Sequence, residues 1–148
     1  MSNEAKVVIV TGASGGIGSA IVKKFYENGY SVAMCDINEA ALKAVAGDLN
    51  LDEERIAICP INITVEEQVV STIAAVKEKF GKIDALINVA AIIGEYGVTV
   101  DCTLENFKKI YDVNVFGTFS MIKHTLPIML EQQHGNIVNF GSVSGMSG

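Results

Sequence analysis

Gly12, Gly16 and Gly18 lie between an apolar run that ends at Thr11 and a segment with helical periodicity. Glycine there lets a strand turn tightly into a helix and lets backbone approach a ligand closely. The helix start adds bare N–H groups and the positive end of its dipole. Such a turn binds an anion, and a pyrophosphate fits it best. Ser14 and Ile17 belong to the same turn. A carboxylate, Asp36, closes the next apolar run, with Ile37 beside it. Pyrophosphate on the helix end and ribose hydroxyls on the carboxylate are the two halves of a dinucleotide site. The carboxylate accepts from the 2′- and 3′-hydroxyls and repels a 2′-phosphate. No Arg or Lys stands in the turn or beside Asp36 to offset that repulsion. NAD is therefore expected in preference to NADP.

Two further residues stand out by position. Asn114 falls inside a long apolar helical pattern, where Asn has poor propensity, and this points to a specific duty. Ser142 follows the last apolar strand at its carboxyl end, where open α/β sheets bind ligands. Other chemistries find no support. Cys35, Cys59 and Cys102 are widely spaced and odd in number, which argues against a disulfide framework and for a reducing, cytosolic setting. His124 and His134 have no cysteine at ligand spacing, so no metal site is expected. The net charge of −6 carries no basic footprint for nucleic acid. Apolar residues make up 49%, yet no run reaches the length of a membrane span. Ser2, Asn3, Glu4 and Lys6 do not resemble a signal peptide.

The elements that must position these residues alternate. Strands are predicted over Lys6–Thr11, Ser31–Cys35, Ile56–Ile61, Asp84–Asn88 and Asn136–Phe140. Helices are predicted over Gly16–Asn28, over Glu39–Leu49 behind an Asn38 cap, and from a Thr64/Glu67 capping box to Phe80. A loop over Ala91–Cys102 leads to a helix capped by Thr103 that runs through Asn114 to about Gln132. Pro127 should kink or restart it. Pro60 places the third strand near a sheet edge. Strand–helix alternation implies an α/β fold, a Rossmann-type doubly wound parallel sheet of five strands. One domain spanning residues 1–148 is expected.

The glycine turn has the form Thr-Gly-x-x-x-Gly-x-Gly, which resembles the short-chain dehydrogenase/reductase family. Asn88-Val89-Ala90-Ala91 is similar to the family's Asn-Asn-Ala-Gly, Asn114 in VNVFG to its helix asparagine, and Ser142 in NFGSVSG to its catalytic serine. The resemblance implies cofactor-lining roles for Asn88, Ala90 and Ala91. It places Asn62 where the family usually has Asp beside the adenine, with Ile63 next to it. The Asn62 carbonyl oxygen can still accept from an adenine amino group. The resemblance also implies that Asn114 supports a water and a proton relay, and that the Ser142 hydroxyl bonds a substrate oxygen. The implied activity is NAD-dependent interconversion of a secondary alcohol and a ketone by hydride transfer. Homodimers or homotetramers built on the long helix are implied as well.

One part of the family pattern is absent. The acid–base pair has the form Tyr-x-x-x-Lys. Tyr26, Tyr30, Tyr96 and Tyr111 are followed at that spacing by Tyr30, Met34, Val100 and Val115. The 148 residues thus read as the first part of a longer enzyme, better at binding a dinucleotide than at reducing anything. A rival reading is a non-catalytic dinucleotide-binding module. A methyl donor-binding Rossmann enzyme is a third, and the spacing of the glycines counts against it.

Overall fold

Val7, Val8, Ile9 and Val10 are apolar in succession because both faces of their strand are covered. In the computed structural model, which describes residues 5–95 and 98–146, they form β1 (Val7–Thr11) at the centre of a five-stranded sheet. The other strands are β2 (Ser31–Asp36), β3 (Ile56–Pro60), β4 (Ala85–Asn88) and β5 (Asn136–Asn139). All pairings are parallel, in the order β3-β2-β1-β4-β5. Pro60 ends β3, which is an edge strand, so its missing N–H breaks no interior ladder.

The helices are α1 (Gly16–Glu27), α2 (Glu39–Asp48), α3 (Glu66–Phe80), α4 (Leu104–Tyr111) and α5 (Thr118–Gln132). Strand residues alternate between two cores. Val8, Val10, Val32 and Met34 pack with Val22 of α1 and Leu42 of α2. Val7, Ile9, Ala33 and Cys35 pack with Val69 and Ile73 of α3 and Met121 and Met129 of α5. Helices on both faces make the sheet doubly wound, as the alternation implied. Each fully buried Val or Ile is worth roughly 1.5–3 kcal/mol, so this double burial dominates the fold. The strand order reverses between β1 and β4, and in such sheets the crevice at that point binds ligands.

Two local expectations are corrected. Thr64 does not cap α3. Val65 is the N-cap and makes no side-chain cap bond, while the Thr64 hydroxyl turns back to Asn62 Oδ1 at 2.8 Å. Gln68 Oε1, not Glu67, reaches back, accepting from Asn62 N at 2.8 Å. The long helix does not restart at Pro127, which lies within α5. It departs from α geometry earlier, in a π-helical segment over Asp112–Gly117. Thr103 and Asn38 do cap α4 and α2, accepting from Asn106 N and Ala41 N. No helix among the described residues is long and apolar enough to cross a membrane.

Candidate functional site

The glycine turn is fixed by backbone contacts that exclude side chains. Gly12 has φ +65° and a Cβ there would lie 2.9 Å from Ala90 N. A Cβ on Gly18 would lie 2.0 Å from Gly12 O. Thr11 Oγ1 accepts from Val89 N and Ala90 N, both at 3.1 Å, so the ends of β1 and β4 are tied together beneath the turn. Ala13 N donates to Cys35 O at 3.1 Å. Asp36 holds the turn from the other side. Its Oδ2 accepts from Ser14 Oγ at 2.7 Å and Ser14 N at 3.2 Å, and its Oδ1 accepts from Asn38 N at 3.2 Å. A carboxylate has about four acceptor sites, so capacity for further donors remains.

These residues line a cavity of about 630 Å³ at the strand-order reversal. Gly12, Ser14, Gly16, Ile17, Gly18, Asp36, Ile37, Asn62, Ile63, Ala90 and Ala91 all border it. The size is ordinary for a small-molecule site. A dinucleotide fits the residues present. Gly16 borders the cavity, and a Cβ on it would meet nothing within 4 Å, so its glycine leaves open space that no protein group uses. The N-cap of α1, Gly15, supplies no side-chain cap. The first amides of a helix lack intrahelical partners, and here nothing from a cap side chain takes them.

Four of the expected residues serve other contacts. Asn62 borders the cavity, but its Oδ1 already accepts from Thr64 N at 3.0 Å and Thr64 Oγ1 at 2.8 Å. The oxygen expected to meet an adenine amino group is therefore bonded within the loop. Asn88 is buried and does not border the cavity; its Nδ2 donates to Asn139 Oδ1 at 2.9 Å, across β4 and β5. Asn114 lies in the π-helical segment. Its Oδ1 accepts from Ile92 N and its Nδ2 donates to Ile92 O, both at 2.8 Å. It thus holds a wall residue of the cavity instead of bordering it. Ser142 follows β5 in a turn in which Gly145 N donates to Ser142 O at 3.1 Å, and it too is away from the cavity wall.

Sequence reasoning passed over Thr11, Cys35, Lys109, Asp112 and Val113. The last three border the cavity from α4 and the π-helical segment. Their spacing, i, i+3 and i+4, is the signal that could have found them, because it puts them on one helix face. No tyrosine among the described residues borders the cavity. Tyr26 Oη instead accepts from Asp52 N at 2.9 Å.

Comparison with known proteins agrees with this geometry. The family model described as short chain dehydrogenase matches residues 6–148. An uncharacterized oxidoreductase of Staphylococcus epidermidis is 37% identical over 140 residues, covering 95% of this chain and 59% of the relative. Zerumbone synthase of Zingiber zerumbet is 34% identical over 147 residues, covering 99% of this chain and 55% of the relative. The chain therefore spans less than two thirds of the length of these relatives. Among solved structures, NAD+-bound xylitol dehydrogenase superposes with a TM-score of 0.93 at 32% identity, over 99% of this chain and 57% of that one. ElxO with NADP bound gives 0.91 at 32% identity, over 97% and 58%. The match over nearly every residue, on a sheet with the glycine turn at its switch point, makes this chain a member of the short-chain dehydrogenase family.

Proposed function

We propose that the chain holds the cofactor site of an NAD-dependent oxidoreductase that interconverts a secondary alcohol and a ketone. The observation that carries this reading is the glycine turn bonded directly to Asp36 on the wall of one cavity. Bound NAD would supply or accept the hydride. The amides opening α1 would take the pyrophosphate. Asp36 would accept from the adenosine ribose hydroxyls, with Ile37, Asn62 and Ile63 forming the adenine side. Ala90 and Ala91 would line the nicotinamide half, their small side chains leaving backbone accessible. Asn114 would set that half of the wall through Ile92. Ser142 would donate to the substrate oxygen.

Similar proteins are described with either NAD+ or NADP bound, so the preference rests on this chain's own residues. Asp36 places a carboxylate where a 2′-phosphate would be repelled. Asp36→Ala should weaken NAD binding by about ten- to a hundredfold, the value of one or two hydrogen bonds to a charged group. NADP binding should strengthen relative to NAD. Titration calorimetry with both dinucleotides checks this, and unchanged NAD affinity would reduce Asp36 to a turn residue.

No tyrosine of the chain has a lysine four residues on, so the 148 residues hold no acid–base pair of that form. We infer that the chain by itself binds NAD without turning it over. The same absence favours a second reading, a cofactor-binding module without catalysis. An NADH absorbance assay on a full-length product, with and without a Tyr→Phe change in its Tyr-x-x-x-Lys, separates the two. Assembly into a homodimer or homotetramer and a cytoplasmic setting complete the proposal.

A further inference from the structure

Cys35 and Cys59 are register partners on the neighbouring strands β2 and β3. Both belong to the core packed by α3 and α5, with Cys35 fully buried and Cys59 9% exposed. Neighbouring strands run about 4.8 Å apart. That lies inside the Cα separation of roughly 4.4–6.8 Å that a disulfide spans. Cys35 also borders the 630 Å³ cavity, whereas Cys59 does not, and a small oxidant meets Cys59 at the 9% of it that solvent reaches. The neighbouring Cys59 thiol, with burial adding to it, raises Cys35 well above the usual thiol range. As a thiol Cys59 donates to Ala57 O at 3.7 Å, while the Cys35 thiol, and more weakly the Lys79 ammonium, favour its thiolate against the effect of burial.

The pair is wired to the glycine turn through two contacts, and a third joins β2 to the chain just beyond β3. Cys35 O accepts from Ala13 N at 3.1 Å. The adjacent Asp36 holds Ser14 through its carboxylate. Asp36 O accepts from Ile61 N at 2.8 Å, beyond Cys59 on the other strand. A disulfide fixes its Cβ atoms about 3.8 Å apart, so closing it constrains β2 and β3 where these contacts originate.

We propose that Cys35 and Cys59 form a dithiol that hydrogen peroxide oxidises to a disulfide, and that the disulfide weakens dinucleotide binding in the adjoining cavity. The second half rests on the cofactor reading above. The Cys59 thiolate attacks one peroxide oxygen. The O–O bond breaks, hydroxide leaves, and a sulfenic acid remains on Cys59. The Cys35 sulfur then attacks the Cys59 sulfur. The S–S bond forms, the S–O bond breaks, and the oxygen leaves as water with the Cys35 proton. Overall the two thiols lose two hydrogens and the peroxide becomes two waters.

The test uses the 148-residue chain carrying Cys102→Ser, which removes the exposed third thiol. After peroxide and alkylation, the intact mass should fall by two hydrogens, and digestion should yield a linked Cys35–Cys59 peptide. NAD binding should be about tenfold weaker and should return on adding dithiothreitol. Cys59→Ala, whose side chain does not border the cavity, should melt cooperatively, bind NAD as the reduced protein does, and ignore peroxide. Unmodified thiols, or a sulfinic acid on either cysteine, would overturn the dithiol. A disulfide with undiminished NAD affinity would overturn the coupling. A reduced chain that binds no NAD would overturn the cofactor reading and the coupling with it, while the linked peptide still decides the dithiol.

Discussion

Gly16 and Gly18 stand two residues apart, yet they are glycine for different reasons. Gly18 is excluded from any larger residue by Gly12 O, which a Cβ would meet at 2.0 Å. The obstacle is backbone, so it cannot rotate away. Gly18→Ala should destabilise the chain by about 1–3 kcal/mol, the usual cost of overpacking, and lower the midpoint of thermal unfolding. Gly16 has nothing within 4 Å of its Cβ position. Gly16→Ala should leave the unfolding midpoint unchanged or slightly higher, since Ala is the better helix former. It should nevertheless weaken NAD binding at least about tenfold, because the methyl occupies the cradle. Calorimetry beside thermal unfolding measures both quantities, and unchanged affinity in Gly16→Ala would remove the pyrophosphate from the turn.

The run from the π-helical segment through α5 is spliced to β4 by two amide side chains. Asn114 satisfies both polar groups of Ile92 beyond the carboxyl end of β4. Gln132 does the same for Ile83 before β4, accepting from its N–H at 3.0 Å and donating to its carbonyl at 2.9 Å. Removing either leaves a peptide unit without its partners, at about 1–3 kcal/mol. Asn114→Ala should raise hydrogen exchange at the Ile92 amide and weaken NAD binding; Gln132→Ala should raise exchange at Ile83 with NAD affinity intact. Equal loss of affinity in both would mean that global loosening, not the cavity wall, is responsible. A third link joins α3 to α5. Glu66 Oε1 is 2.7 Å from both Lys123 Nζ and His124 Nε2, and these bonds hold its carboxyl below the usual carboxylate range. A lowered folded-state value means the contribution is present above the unfolded Glu value, about 4.3, and lost as pH falls through the lower folded one. Glu66→Gln should therefore melt below the parent at neutral pH and converge with it in acid, by a small margin because the pair is exposed. Midpoints followed from pH 7 down to about pH 3 decide it, and a constant offset would exclude the ion pair as the cause.

At the scale of the molecule, the large exposed apolar side chains gather in the part of the chain after β4. Phe107 and Tyr111 of α4 are exposed, as are Phe116 at 59%, Phe119 at 62%, and Val138 and Phe140 at the β5 edge. Large exposed apolar surface of this kind marks an interface, and an open strand invites pairing. It supports the proposed self-association through the long helix. Phe116→Glu with Phe119→Glu should lower the molar mass found by light scattering toward that of one chain. An unchanged mass would move the interface elsewhere. The cavity takes its walls from the turn after β1, α1, the end of β2, the loops after β3 and β4, α4 and the π-helical segment, all of this one chain.

Much of this was legible in the residues themselves. Runs such as Val7–Val10 and Ser31–Cys35 are apolar without alternation because two layers of helix must cover them, so the doubly wound parallel sheet follows from the pattern. Gly12, Gly18 and Asp36 announce their site because backbone geometry and charge are local properties. What the linear order could not settle is where side chains find partners far along the chain. Asn62 was legible as a polar residue in the right place, but the nearby Thr64 and Gln68 claim its polar groups. Asn114 was legible as an anomaly, yet only the fold shows that its whole amide is used by Ile92, 22 residues earlier. Pro127 was expected to kink or restart the long helix; α5 does not restart there, and the departure from α geometry falls at Asp112–Gly117, where the segment meets the chain beyond β4 and Gly117 packs against Ile63. Sequence spacing determines which residues share a strand or a helix face. Only tertiary packing decides that Cys35 faces Cys59 and that Lys109 joins Asp36 on one cavity wall, because those contacts close across loops whose lengths carry no record of them.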